Sequence, residues 1–399
     1  MINKKTNKPI NNLIFYFILT LLFFMSMNFS AKFFYFAFAS LLVYLVYRIN
    51  LYFDYMFIIY FTVSIIMCCF HINDGIKAML RVFASPVVYL LGLSLIFDIS
   101  KGTHKNKKEL ILKALFYILI AVVLGTATHF LLNFIINYGQ DLGRNTIDIW
   151  TGKIASATNQ ASIVCITSGM TCALIVKAPK PIYRVLSIVL TIFILTYNLI
   201  LAGRTIIAIY GVCFVVALFF YLQQTKNTKI FFKVALWIVA IALIGYVIYT
   251  SNFWGAKDVI LESNLYERFF GDSKMGITET ARKKSKLFYL THFLEYPFGG
   301  LNMRGEVGYA HDLLLDAYDE YSIFCFIFLV LIIISSLKNL TTFVFNKNIE
   351  LSYRLMVLCV YIAIYIQFFL EPIFAGLPWL YVIFCLLNGV LSAINRAKL

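Results

Sequence analysis

Apolar runs of roughly 16–22 residues recur from one end of this chain to the other, each long enough as a helix to cross a hydrocarbon core of about 30 Å. That pattern constrains the fold before any motif is read. Of 399 residues, 61% are hydrophobic and only 13% charged, roughly half the charged share of a soluble domain. The expected fold is all-α: a polytopic integral membrane protein with about twelve transmembrane helices in a single domain over 1–399. The spans are placed at approximately 12–29, 32–47, 52–70, 82–99, 111–136, 156–176, 183–202, 205–222, 231–250, 313–337, 353–371 and 379–395.

In a soluble chain a net charge of +15 would suggest nucleic acid. Here Lys and Arg concentrate in short polar connections, so the charge is read as the positive-inside bias and no nucleic-acid partner is expected. "MINKKTNK" before the first run shows no small-residue cleavage site and is read as the start of an uncleaved span. With that segment cytoplasmic, "KGTHKNKKE", "KAPKPIYR", "QQTKNTK", "NKNIELSYR" and "NRAKL" fall on the same side, and both termini are expected in the cytoplasm. The eight cysteines all lie in apolar runs, which points to packing rather than to disulfides or metal ligands. On the opposite face one connection stands out. Residues 251–312 form a long loop carrying Lys257, Arg268, Lys274, Arg282, Lys283, Lys284, Lys286 and Arg304 against a similar number of acids. Long loops cross regardless of charge, and this one is expected to form an extracytoplasmic subdomain.

Ionisable residues gather at that expected outer face. "LILAGRTIIAIYG" sets Arg204 in a hairpin with almost no loop, where an arginine faces a cavity or partner, or else snorkels to the headgroups. "LGRNTIDIWTGKIASATNQAS" carries Arg144, Asp148, Trp150 and Lys153 into a polar helix start, read either as a cavity wall or as helix–helix hydrogen bonding. Arg282 opens an amphipathic stretch that closes at "YPFGGLNMRG", with Arg304 in the approach to "GYAHDLLLDAY". Arginine in such a loop can clamp an anion, although a solvated face is the default. His311 sits at a loop-to-helix junction with Asp312 adjacent and Asp316 further on, and a nearby carboxylate can orient an imidazole and raise its basicity. Glu371, before Pro372, is a possible partner for one of the arginines. His129 lies inside an apolar run and is read as structural.

The layout, the "AGRT" hairpin, the "RNTIDIWTGKIASAT" stretch, the long outward loop and "EYPFGGLNMRGEVGYAHDLLLD" together resemble the bacterial O-antigen ligase/polymerase superfamily. Within it the chain is most similar to Wzy-type capsular or O-antigen repeat-unit polymerases. It departs from the pattern in two places: Asp312 stands where the family has Asn or Ser, and "DEYSIF" lacks a glycine pair. The resemblance implies a GT-C-like fold and inverting, metal-independent glycosyl transfer without a cofactor, from an undecaprenyl-diphosphate-linked oligosaccharide to a second such unit. It places the protein in the bacterial cytoplasmic membrane, with the lipid bilayer as a partner and room for a chain-length regulator. In that scheme His311 is the general base, oriented by Asp312 or Asp316. Arg204 and Arg282 hold the diphosphate, and Arg144 and Arg304 are further anion contacts.

Two other readings stay open. A ligase would move the finished chain to a lipid or surface acceptor and shares the donor and the chemistry. A flippase or exporter of the lipid-linked unit would carry matched halves and midplane charges. No internal repeat is visible, and the ionisable residues cluster at the ends of spans instead.

Overall fold

The structure, a computed structural model, describes residues 12–47, 51–101, 106–140, 144–226, 236, 243, 246–270 and 277–397. The expected ninth span at 231–250, the basic start and Lys274 lie wholly or largely outside the described residues, as does the side chain of Arg268. In chain order the helices are α1 (Asn12–Ser26), α2 (Phe33–Val46), α3 (Tyr55–Phe70), α4 (Ile76–Lys101) and α5 (Lys107–Asn137). A two-stranded hairpin follows, β1 (Asn145–Ile147) and β2 (Ile154–Ser156), then α6 (Ala157–Val176), α7 (Pro181–Leu201) and α8 (Arg204–Thr225). The long loop holds α9 (Ala256–Leu261), α10 (Asn264–Phe270), α11 (Ile277–Thr291) and α12 (Asn302–Val307). Then come α13 (Leu313–Glu320), α14 (Ile323–Phe345), α15 (Leu351–Leu370), α16 (Ile373–Gly376) and α17 (Pro378–Arg396).

Among the described residues eight helices are long and apolar enough to cross a membrane: α4 to α8, α14, α15 and α17. Helices α1, α2 and α3 are apolar but shorter. The chain is an all-α, multi-pass membrane protein. The expected tenth span at 313–337 is divided: α13 ends at Glu320, and Ser322 caps a new helix by accepting from Cys325 N at 3.4 Å. His311, Asp312 and Asp316 therefore belong to a short separate helix and its lead-in turn, not to the span itself.

By compactness the chain forms two units. The first comprises 1–128, 282–354 and 364–399. Its centre is α17, buried on all sides and laid against α4. Contact there is backbone to backbone: a Cβ on Gly92 would lie 2.8 Å from Leu386 O, and one on Gly389 would lie 2.2 Å from Tyr89 O. Close approach through small residues replaces the hydrophobic drive that lipid cannot supply. Pro86 inside α4 lacks the N–H that would reach Val82 O, and Ser64 Oγ donates to that carbonyl at 3.2 Å instead. Trp379 Nε1 donates to Met25 O at 3.1 Å, and Asn388 Nδ2 to Tyr60 Oη at 2.9 Å.

The second unit comprises 129–281 and 355–363. Helix α6 is its buried axis, flanked by α7 and α8. A Cβ on Gly169 would lie 2.5 Å from Cys359 O, so this position too admits only glycine. The polar start of α6 is used locally: Ser156 caps the helix through Asn159 N at 3.3 Å, and Gln160 Nε2 donates to Thr146 Oγ1 of β1 at 3.0 Å. Ile182, Val185, Leu186, Val189 and Ile192 form an exposed apolar stripe along α7, the surface expected to face acyl chains.

Candidate active site

The site is assembled in the first unit from α11, the glycine-rich loop, α13 and the end of α15. One face of α11 packs down. Ser285 Oγ donates to Val307 O at 2.9 Å, Tyr289 Oη donates to Gly308 O at 2.8 Å, and Tyr289 joins Met303, Ala310, Leu315 and Tyr318 in a buried cluster. Arg282 and Lys286, themselves one turn apart, occupy the neighbouring face. Lys286 Nζ donates to Phe369 O at 2.7 Å, and Arg282 Nη1 donates to Leu370 O at 3.5 Å. Two cations thus cap the C-terminal carbonyls of α15, where the helix dipole favours positive charge.

The "PFGG" segment is needed for backbone contact. Gly299 has φ +69°, and a Cβ there would lie 2.8 Å from Tyr321 C. The loop is pinned to the α13–α14 junction by Leu301 N to Asp319 O at 3.0 Å, Ile323 N to Pro297 O at 3.0 Å and Met303 N to Asp319 Oδ1 at 2.9 Å.

His311 follows with φ 55°, a left-handed conformation uncommon outside glycine. Asp316 holds it there. Its buried carboxylate accepts from Ala310 N at 2.8 Å and Asp312 N at 3.0 Å, straddling the histidine. Burial pushes the Asp316 carboxyl up to about 6, against the pull of those two N–H donors. Asp312 caps α13 by accepting from Leu314 N at 3.0 Å and Leu315 N at 3.3 Å, and lies 3.7 Å from Lys286 Nζ. Burial raises the Asp312 carboxyl too, opposed by Lys286. Both carboxylates expected to orient the imidazole are thus taken up by backbone N–H groups.

Among the described residues the carboxylate nearest the ring is Glu371. Its Oε2 is 3.8 Å from His311 Nδ1 and its Oε1 is 3.6 Å from Arg282 Nη1. Glu371 is 2% exposed, yet neither oxygen accepts a hydrogen bond among the described residues. A buried carboxylate with unused acceptor capacity costs stability unless something completes it. Arg304 is placed differently from the expectation of an anion contact. Its Nη2 donates to Glu320 Oε2 at 3.0 Å, its Nε lies 3.8 Å from Asp319, and its guanidinium sits 4.0 Å over the Tyr309 ring. It staples the loop together and its charge is already met.

Arg144 and Arg204 belong to the second unit. Arg144 Nε donates to Leu201 O at 3.3 Å and Nη2 to Ala202 O at 3.4 Å, closing the turn after α7. Asn198 Oδ1 accepts from Gly203 N at 3.0 Å in the same turn, and half-buried Arg204 begins α8. The same unit contains a pair that sequence reasoning passed over. Buried His129 has Nε2 2.8 Å from Asp148 Oδ2, and Asp148 Oδ1 accepts from Trp150 N at 3.0 Å and Thr151 N at 2.8 Å. Burial would raise Asp148, but His129 and Thr151 outweigh it and hold the carboxyl down at about 2. The signal was the "DIWTG" turn, with an acid placed to cap its own following N–H groups.

No family model matches the chain, and no curated protein matches it significantly.

Proposed function

We propose that the protein is a membrane glycosyltransferase that joins undecaprenyl-diphosphate-linked oligosaccharide repeat units at the outer face of the bacterial cytoplasmic membrane, as Wzy-type polymerases do. The observation that carries this reading is the convergence of His311, buried Glu371 and the cations Arg282 and Lys286 at one end of an apolar bundle. In the proposed step the acceptor hydroxyl oxygen bonds to the anomeric carbon of the donor sugar. The bond from that carbon to the diphosphate oxygen breaks, and the configuration inverts. His311 takes the hydroxyl proton through Nε2, which has no partner among the described residues, while Glu371 beside Nδ1 favours the tautomer that leaves Nε2 unprotonated. The diphosphate leaves with its charge rather than a proton, so guanidinium and ammonium donors are the groups it needs. Arg282 and Lys286 supply them from this unit, and a diphosphate role for Arg204 is tested by its own substitution.

The test is complementation of the host's deletion strain, reading glycan length on a gel. Wild type should restore a ladder, and His311→Ala and Arg204→Ala should each leave single repeat units at normal protein level. Unchanged ladders in both variants would discard the site. Full-length polymer left unattached in the deletion strain would make the protein a ligase. Absence of lipid-linked units at the outer face would make it a transporter.

A further inference from the structure

A cavity of about 450 Å³ opens in the first unit, apart from His311 and within the ~300–1,000 Å³ range of small-ligand sites. It lies between the end of α3, the start of α4 and the loop carrying α16, and His71, Lys77, Arg81, Tyr321 and Phe374 are among its walls. The loop at α16 is shared by both sites: Phe374 lines this cavity, while Glu371, three residues earlier, faces His311 and Arg282.

The charge in the cavity is unbalanced. Gly75, with φ +83°, turns the chain into α4, and Lys77 and Arg81 stand one turn apart along its first two turns. Neither has a carboxylate partner among the described residues; Arg81 rests only over the Phe34 ring at 5.7 Å. The acid in the lining, Asp74, is engaged by His71, whose Nδ1 is 2.7 Å from Asp74 Oδ2. His71 Nε2 is 3.1 Å from Tyr321 Oη, Tyr321 donates to Glu320 Oε1 at 3.1 Å, and Glu320 Oε2 accepts from Arg304. The part of the wall formed by His71 and Tyr321 is therefore fixed to the segment that positions His311. Ile72 and Ile76, next in sequence to the lining residues His71 and Lys77, are exposed and offer apolar surface to a hydrocarbon chain.

We infer that this cavity binds the phosphate group of a lipid-borne ligand, gripped by Lys77 and Arg81 with Phe374 and Tyr321 against its neighbouring ring or chain. Arginine and lysine one turn apart match phosphate oxygens, and an aromatic wall suits the apolar face of a sugar. On the reading under Proposed function, which this identification rests on, the ligand is the second lipid-linked unit, and the two cation pairs serve two diphosphates. A phospholipid headgroup offers the same phosphate chemistry.

The experiment is native mass spectrometry of the full chain in detergent micelles. Farnesyl diphosphate and phosphatidylglycerol are the two probes, applied separately to wild type, Lys77→Gln/Arg81→Gln and the charge-preserving Lys77→Arg/Arg81→Lys. Wild type should bind two equivalents of farnesyl diphosphate. The glutamine variant should lose at least tenfold in affinity for one of them, and the charge-preserving variant should retain it. Selective loss of farnesyl diphosphate supports the lipid-linked diphosphate, whereas selective loss of phosphatidylglycerol supports a headgroup and removes the second-unit identification. Equal binding of both probes to wild type and the glutamine variant overturns the site. Both side chains are exposed, and if the double variant folds poorly, each single glutamine substitution should still cost at least threefold. Full-length unattached polymer, or no lipid-linked unit at the outer face, in the deletion strain would sink the polymerase reading without touching these binding results, so the two failures remain distinguishable.

Discussion

Two histidines of this chain sit beside carboxylates, and the two pairs are built to different ends. In the second unit His129 is 4% exposed and packed beside Trp150, with Asp148 at 2.8 Å. The hydrogen bonds that Asp148 accepts from Trp150 N, Thr151 N and Thr151 Oγ1 all serve the hairpin turn. Asn133 and Asn137 accept from Ile149 N and Ile147 N, so the C-terminal end of α5 is clasped to the hairpin. In the first unit the His311 side chain is 28% exposed, held on a left-handed backbone, and 3.8 Å from a glutamate whose oxygens accept no hydrogen bond among the described residues. The carboxylate of the His129 pair has spent its bonding capacity on structure, and the carboxylate of the His311 pair has kept it. Reserve of that kind is what a reacting group requires, because a base tied into a complete network has nothing left to offer a substrate.

The largest expected effects fall on the histidines themselves. His311→Ala should lower the rate of repeat-unit joining by about 10²–10⁴-fold, the usual contribution of a positioned base, while the protein accumulates and elutes as wild type. His129→Ala should do the reverse. Removing the imidazole leaves Asp148 half-buried without its ring partner and should cost about 2–3 kcal/mol of stability. Specific activity per folded molecule should stay within about twofold, well under the tenfold that 1.4 kcal/mol represents. Thermal unfolding in micelles and a joining assay on purified lipid-linked unit read the two quantities separately. If His129→Ala abolished joining in folded protein, the distinction drawn between the pairs would collapse.

Much of the helical frame was legible from apolar runs: α6, α7, α8, α15 and α17 begin within two residues of the expected starts, because a span must fill the hydrocarbon. The site was legible only in its residue types. Asp312 and Asp316 lie near His311 in sequence, but sequence does not show that their oxygens are committed to the N–H groups of residues 310, 312, 314 and 315. Glu371 reaches the imidazole only through tertiary packing, which no local pattern encodes. Arg304 reads as an anion contact until Glu320, Asp319 and Tyr309 are seen around it. The hairpin at 145–156 has strands of three residues, too short for an alternating pattern to register.

Acid should act on the two turns in opposite directions, since the carboxylates that support them are shifted in opposite senses. Asp148 is held at about 2, below its ordinary value of 3.8, so its contribution is present above pH 4 and lost as pH falls toward 2. The shift corresponds to about 2 kcal/mol. Asp316 is raised to about 6, so its contribution is full below pH 4 and is lost as pH rises through 6. Amide exchange should therefore show the hairpin at 145–156 losing protection between pH 4 and 2. The amides of Ala310 and Asp312 should exchange more slowly at pH 4 than at pH 7, once corrected for intrinsic rates. Asp316→Asn should flatten the second profile and leave the first unchanged.

The smallest expected effect is the most discriminating for the anion site. Arg282 both caps α15 and stands 3.6 Å from Glu371. A structural cap should tolerate Arg282→Lys, because Lys286 already donates to the adjacent carbonyl of Phe369 and an ammonium satisfies a helix end as well as a guanidinium does. A diphosphate contact should not tolerate it, since lysine cannot reproduce the two parallel N–H donors of the fork. Arg282→Lys should then raise KM for the lipid-linked donor by about tenfold, equivalent to 1.4 kcal/mol, with kcat changed by less than about threefold and unfolding temperature unaltered. A fall in unfolding temperature with KM unchanged would assign Arg282 to the helix end alone and leave Lys286 as the cation of this cluster that meets the leaving group.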